Sequence, residues 1–355
     1  MIANHLPRIR HILPMATVQR ERKLDGPGVL TVRVREKVQS TDVIAEVQPR
    51  PRHHFLDLAS ALGVSDTDAA RLLRVDLGSN VEAGQILAGP AGIARRTVRA
   101  PANGKVLSLS RGRVLFEARE EPRAIHAGIP GTVAGSDGAS SITIMAVGAL
   151  IQGAWGNGRR GWGVLRDVGE SPSARLEPSE LDMMLRGAVV LVGVVDDATS
   201  LQKATEIPIR GLICGSMASE LIPIALHMPY PILVTEGFGA IPMNSPTYDL
   251  LSTNAGREAS LEAALLEPYE PQLPEILVPL PATQDVKSPE RIVQLQPGVR
   301  VRALRAPHTG AVGSLLHLMP GVESFPSGIL ARSAMIELEG IGSVPIPLSN
   351  MEVIA

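Results

Sequence analysis

Residues 75–109, VDLGSNVEAGQILAGPAGIARRTVRAPANGKVLSL, decide the fold reading of this chain. Apolar and polar residues alternate around Gly78 and Gly84, the pattern of short strands joined by tight turns. The order is strand, polar-Gly turn, a V-x-x-G-Q-x-L-A strand, a gap, then V-x-A-P-x-x-G-x-V. The gap, GPAGIARR, has the composition of a hairpin tip and contains no lysine.

A related run lies upstream. VRVREKVQSTDVIAE and LRVDLGSNVEAGQILAG share a strand, a polar turn, a valine, a second polar turn and an apolar pair ending in alanine. They read as a degenerate internal repeat, expected to build two interlocking β-halves. Between them, FLDLASALGVSDTDAARLL (55–73) predicts two short helices, with Ser65 as an N-cap and Asp66 and Asp68 in the first turn that follows.

The chain has 355 residues, enough for two or three cores. Its 34 Gly and 29 Pro favour turns and short strands, and with 3% aromatics the cores must rest on aliphatic side chains. Charge is uneven. Residues 1–120 carry 19 basic against 12 acidic groups (+7), 121–290 carry 10 against 20 (−10), and 291–355 carry 5 against 4 (+1). Such a division can steer a partner or hold domains together. The one cysteine, Cys214, excludes an intrachain disulfide and a Cys-rich metal or iron–sulfur site. The first residues lack the apolar core of a secretory signal, and no apolar run is long enough to span a bilayer, so a cytoplasmic protein without membrane insertion is expected.

From residue 187 the period changes. AVVLVGVV (188–195), GLIC (211–214) and PILVTEG (231–237) are continuous apolar strands alternating with helical patterns, which predicts βαβ units on a parallel sheet. The expected fold class is therefore multi-domain α+β and β-rich. Residues 1–27 form a basic lead-in, 28–120 the first β unit with a helical insertion at 55–73, and 121–186 a β-rich segment with a Gly-rich loop. Residues 187–266 form a small α/β domain, 267–290 a Pro-rich linker, and 291–355 a last β unit.

The segment 72–109 resembles the barrel-sandwich part of the C subunit of Rnf-type electron-transport complexes, and more loosely biotinyl and lipoyl domains. The resemblance rests on Gly78, Val81, Gly84-Gln85, Ala100-Pro101 and Gly104-Lys105-Val106. It implies a barrel-sandwich hybrid over about 28–118. The Rnf subunit would bring cysteine motifs and carriers would bring a hairpin lysine; Arg95-Arg96 stand near that place instead, and Lys105 lies beyond the proline. No covalent biotin or lipoate, and no other cofactor, is expected. Residues 295–355 resemble a KOW motif of the NusG and ribosomal-protein kind through Pro297-Gly298, Val299, Val301, Pro307, Gly310, Val312, Gly340, Val344-Pro345 and Ile354. That likeness implies an SH3-like barrel.

Three surfaces are candidates for function. Ligands of parallel α/β sheets bind at the carboxyl ends of the strands, which here carry Asp196, Asp197, Ser216, Thr235, Glu236 and Gly237. Ser216 would face an anion from a helix N-terminus, with the carboxylates opposite; alternatively Asp196 and Ser216 cap helices. GNGRRG (156–161) satisfies G-x-G-x-x-G, but WGVL follows it, a strand rather than a helix, so a Gly-rich hairpin is expected. Trp155, Arg159, Arg160 and Trp162 would make it a partner-binding loop. The run 95–113 is basic, with no acid between Glu82 and Glu117, yet no aromatic interleaves it for base stacking. No residues are assigned as catalytic, and no His or Cys pair has metal spacing. The expected function is a non-enzymatic scaffold or adaptor with a protein partner. The alternatives are an enzyme or sensor of a small anion at the strand ends, and RNA or ribosome association through 295–355 and the basic 95–113. Oligomeric state is not written in the sequence.

Overall fold

The computed structural model describes residues 8–24, 26–48, 50–138, 140–265, 272–281, 286–290 and 292–355. The chain is strand-rich with a minority of helix, a β-rich α+β protein. None of its described helices is long and apolar enough to cross a membrane.

The expected lead-in is itself strand where it is described: β1 (Arg8–Arg10) and β2 (Ile12–Lys23). Then follow β3 (Gly28–Leu30), β4 (Lys37–Val38), β5 (Val43–Val47) and β6 (Arg52–Asp57). Two helices, α1 (Leu58–Leu62) and α2 (Asp66–Arg71), lead to β7 (Asn80–Val81), β8 (Ile86–Ala91), β9 (Arg96–Arg99), β10 (Gly104–Ser110) and β11 (Arg113–Ala118). Asp57 caps α1 by accepting from the Ser60 N–H, and Ser65 caps α2 by accepting from the Asp68 N–H. Beyond them lie β12 (Arg123–His126), β13 (Gly131–Ser136) and the long β14 (Ser141–Gln152).

These fourteen strands contain one unit twice. β4 pairs with β13 as Val38↔Gly131 and Lys37↔Thr132; β7 pairs with β10 as Val81↔Gly104 and Asn80↔Lys105. β13 meets β14 with a bulge after Val133, and β10 meets β11 with the same bulge after Val106. β2 then flanks β14 as β6 flanks β11. Turn bonds coincide too. Asp42 N–H donates to the Gln39 carbonyl while Asp42 Oδ2 accepts from the Gln39 N–H, and Gln85 does the same with Glu82. The second copy lies between β5 and β12 of the first, inside its hairpin. We call them the outer and the inserted copy. The sequence repeat is therefore real, but its two runs belong to different cores. Val38, Ile44, Ile142 and Ile144 lie in one cluster; Val81, Leu87, Val114 and Phe116 lie in another. The first run closes on 123–146, past the boundary expected at residue 120.

The outer copy continues into a mixed eleven-stranded sheet. Its other members are β15 (Trp155–Gly156), β16 (Arg159–Asp167), β17 (Ala188–Val195), β18 (Gly211–Met217), β19 (Ile232–Phe238), β20 (Glu258–Ala263) and β21 (Glu275–Pro279). β16, β17, β18 and β19 run parallel. Every residue of β17 and β18 is buried, as their unbroken apolar runs require. Helix α3 (Ala198–Glu206) is one crossover; the short α4 (Ile222–Ala225) lies on the next, and α5 (Ser245–Ser252) precedes β20. The stretch expected as a linker differs. Glu275–Pro279 is a buried central strand between β14 and β20, since Ile276, Leu277 and Val278 alternate across both sheet faces; residues 267–271 and 282–285 of that stretch lie outside the described residues.

The last unit holds β22 (Arg300–Ala303), β23 (Val312–Leu318), a small hairpin of β24 (Glu323–Ser324) and β25 (Leu330–Ala331), β26 (Ser333–Leu338), β27 (Gly342–Pro347) and β28 (Met351–Ile354). Five of these strands join one sheet that β1 completes by pairing parallel to β28. The first described strand thus pairs with the last.

Candidate functional site

The strand ends of the parallel sheet are built around an irregularity in β19. Cys214 pairs with Val234 but Ser216 pairs with Gly237, so Thr235 and Glu236 both stand opposite Gly215. The bulge turns both side chains inward; Thr235 is buried, and the Glu236 side chain is 1% exposed. Glu236 Oε1 accepts from Asn244 Nδ2 at 2.6 Å and from the Thr235 hydroxyl at 3.2 Å. Its other oxygen meets the guanidinium of Arg302, on β22.

Arg302 leads further. It also ion-pairs with Glu352, its cross-strand neighbour on β28. Glu352 in turn receives both Nε (3.0 Å) and Nη2 (3.1 Å) of Arg10 from β1. Two arginines and two glutamates thus form a chain, Glu236–Arg302–Glu352–Arg10. It ties the α/β strand end to the last unit and the N-terminal strand. Burial pulls the Arg10 guanidinium below its ordinary value, and Glu352 opposes that shift. A carboxylate bound this way has little left to offer a ligand, and removing one partner would strand a buried charge.

The other expected strand-end groups are dispersed. Asp196 is paired with Arg175. Asp197 occupies the N-cap position of α3, but its side chain makes no capping bond. Ser216 does not open a helix, because β18 runs on to Met217 and α4 begins only at Ile222. Its buried hydroxyl instead accepts the Ile241 N–H at 2.9 Å and holds the loop after β19. That loop leans on the last unit: a Cβ placed on Gly310 would come within 2.8 Å of Ile241 Cγ2. Gly237, with φ +134°, lets the chain leave the bulge. The crevice that parallel sheets offer to ligands is closed at β19 by the protein itself.

The Gly-rich run is a strand–turn–strand, with β15 before it and β16 after it. Asn157 fixes the turn. Its Nδ2 donates to the Ala225 and Tyr230 carbonyls and its Oδ1 accepts from the Ile232 N–H. The four residues expected as one partner-binding loop face different neighbours. Trp155 meets Phe238 edge-on at 5.7 Å, while Trp162 lies 5.8 Å from His126 and packs over Gly128 at the seam with the outer copy. Arg160 pairs with Glu262, and Arg159 is exposed.

That seam is a second charged joint. Arg22 donates to the Ala127 carbonyl at 2.8 Å and to Glu262 at 2.6 Å; Arg20 pairs with Glu275, and Ser260 donates to the Gly128 carbonyl at 2.6 Å. Burial raises Glu275 above the usual carboxylate range against the pull of Arg20. The sequence reading missed Arg10, Arg22, Arg302 and Glu352. Each sits in an alternating strand, where a charge reads as a solvated face. Cys214 is buried, and burial pushes its thiol up to about 12, so it is inert at neutral pH. Among the described residues no group of three or more His, Cys, Asp or Glu could hold a metal ion.

No family model matches the chain, and the comparison with curated proteins gives no match.

Proposed function

We propose that the chain is a non-enzymatic scaffold that presents its inserted copy to a protein partner. Both copies are read as barrel-sandwich units, and the last unit as a KOW-like barrel. One observation carries the proposal. In the outer copy Ser40 and Gly128 are buried at the seam with the large sheet, where Ser40 bonds Glu258 and the Gly128 carbonyl accepts from Ser260; their counterparts Ala83 and Pro101 are exposed. A face that serves as an interface once is left open in its duplicate, where the small apolar Ala83 and Pro101 are exposed and Glu82, Gln85 and Asn103 stand around Ala83. The hairpin tip supports the same reading. The outer copy carries the whole inserted copy there, and the inserted copy ends in Gly92-Ile93-Ala94-Arg95, with Ile93 fully exposed. Of the polar groups that an anion sensor would use, Glu236 is engaged by Arg302, Asp196 by Arg175 and Ser216 by the Ile241 N–H. The RNA reading finds Arg300 engaged by Glu339 and Arg302 by two glutamates.

The test is capture from native lysate on the full chain, at several salt concentrations, with Ala83→Arg beside an Arg at Ser110 as control. A partner retained at high salt, lost with Ala83→Arg and kept with Ser110→Arg is the expected result. Recovery of the protein alone, or capture indifferent to Ala83→Arg, overturns the proposal.

A further inference from the structure

The last unit contains a cleft that the scaffold reading does not use. It lies between the turn Arg305–His308, the tip of the β24–β25 hairpin and strand β27, and encloses about 450 Å³. That volume falls within the range of small-molecule sites. Its walls are apolar: Phe325 and Ile329 from the hairpin tip, Val344, Pro345 and Pro347 from β27. Ile329 remains 59% exposed, so its apolar surface is uncovered.

The polar lining is Arg305, His308, Ser327, Ser349 and Asn350, and its fixed charge is positive. Arg305 is exposed at the rim and has no hydrogen-bond or ion-pair partner among the described residues. His308 and Asn350 also line the cleft, and no acidic residue does. Of the other exposed arginines of this unit, Arg300 is matched by Glu339, while Arg332 stands outside the cleft. A lone guanidinium above an apolar cleft is complementary to a carboxylate carried on an apolar body. A peptide strand is a poor occupant. β27 is the edge of its sheet, but Pro345 and Pro347 have no N–H to donate to an added strand. Phe325 and the proline rings offer flat apolar surface to an aromatic ring.

We infer that this cleft binds a small aromatic carboxylate, with Arg305 taking the carboxylate and Phe325, Pro345 and Pro347 holding the ring. The experiment is titration calorimetry of the full chain with indole-3-acetate and with its uncharged analogue indole-3-ethanol. The acid should bind at least tenfold tighter than the alcohol. Arg305→Gln should remove that difference while leaving the alcohol unchanged, and Phe325→Ala should weaken both alike. Both positions are peripheral, and unchanged melting of the variants would show that the fold is kept. Absence of acid binding at millimolar concentration, equal affinity for acid and alcohol, or indifference to Arg305→Gln overturns the inference.

Discussion

The outer and inserted copies share their strand order, pairing register, bulge and turn bonds, but few residues. Gly131 and Gly104, Val133 and Val106, Val38 and Val81, Ala127 and Ala100, Ala146 and Ala118 coincide. Even the left-handed turn residue differs, Arg35 at φ +72° in one and Gly78 at φ +85° in the other. What the backbone demands is thus short: small residues where strands cross closely and aliphatic ones on the inward face. What separates the copies is their edge strand. Arg20 and Arg22 on β2 reach carboxylates of the large sheet; the matching positions on β6 are His54 and Leu56. These two side chains, with the run of β14 on to β21, make the outer unit part of a larger body.

The most damaging way to break this comparison is to exchange those side chains. Arg22→Leu, which imitates Leu56, leaves Glu262 buried with only Arg160 and strips the donor from the Ala127 carbonyl. Removing one partner of such a buried pair costs about 3–5 kcal/mol. The reciprocal Leu56→Arg, at a half-buried edge, should cost only about 1 kcal/mol. Urea denaturation measures both. Equal losses would mean that the seam contributes nothing particular to the outer copy.

Part of this was legible in the sequence. The runs at 32–46 and 73–89 matched because turns restrict residue choice: Val38 and Val81, Ala45 and Ala88 recur around polar tips. The continuous strands at 188–195 and 211–214 were legible for the same kind of reason, since burial on both faces favours unbroken apolar runs; the extension of the second to Met217 through the buried Ser216 was not. The second half of the repeat was not. RVLFEA and SITIMA share only an alanine, because an inward face accepts any aliphatic or aromatic group of suitable size. The joint was hidden as well. Glu236 was singled out, but its partner Arg302 lies 66 residues away in an alternating strand, and no local pattern shows which solvated-looking face another unit will cover.

A second contrast concerns how far damage spreads. A Cβ on Gly104 would press on the Glu117 carbonyl oxygen and lie 2.7 Å from Phe116 Cζ, and one on Gly131 would press on the Met145 carbonyl oxygen and lie 2.9 Å from Ile144 Cγ2. Gly104→Ala and Gly131→Ala should therefore each cost about 1–3 kcal/mol through overpacking. Their reach should differ. The inserted copy has its own core and its own sheet, whereas β14 is shared between the outer copy and β21. Hydrogen exchange is expected to show Gly104→Ala loosening only 52–118, and Gly131→Ala loosening β14, β20 and β21 together. Identical exchange patterns would show that the copies unfold as one cooperative unit.

Acid separates the copies most gently. Asp57 accepts the Ser60 N–H at 2.9 Å and the Arg113 guanidinium at 3.1 Å, and the Ser60 bond is the main cause that holds it below the usual carboxylate range. A depressed carboxyl stabilises above its unfolded value, and that contribution is lost as pH falls. Glu275 at the outer seam has the opposite sign. Burial raises it, so the folded protein prefers it protonated, and its contribution weakens as pH rises above the unfolded value. Lowering pH from about 6 to about 2, through and below the ordinary carboxylate range, should thus uncap α1 in the inserted copy while easing the charge buried at the seam. Protection factors at the two pH values decide it: amides of 58–62 are expected to lose protection before those of β14 and β20. If the seam opens first, Arg20 governs Glu275 more strongly than burial does, and the outer copy is held by charge rather than by packing.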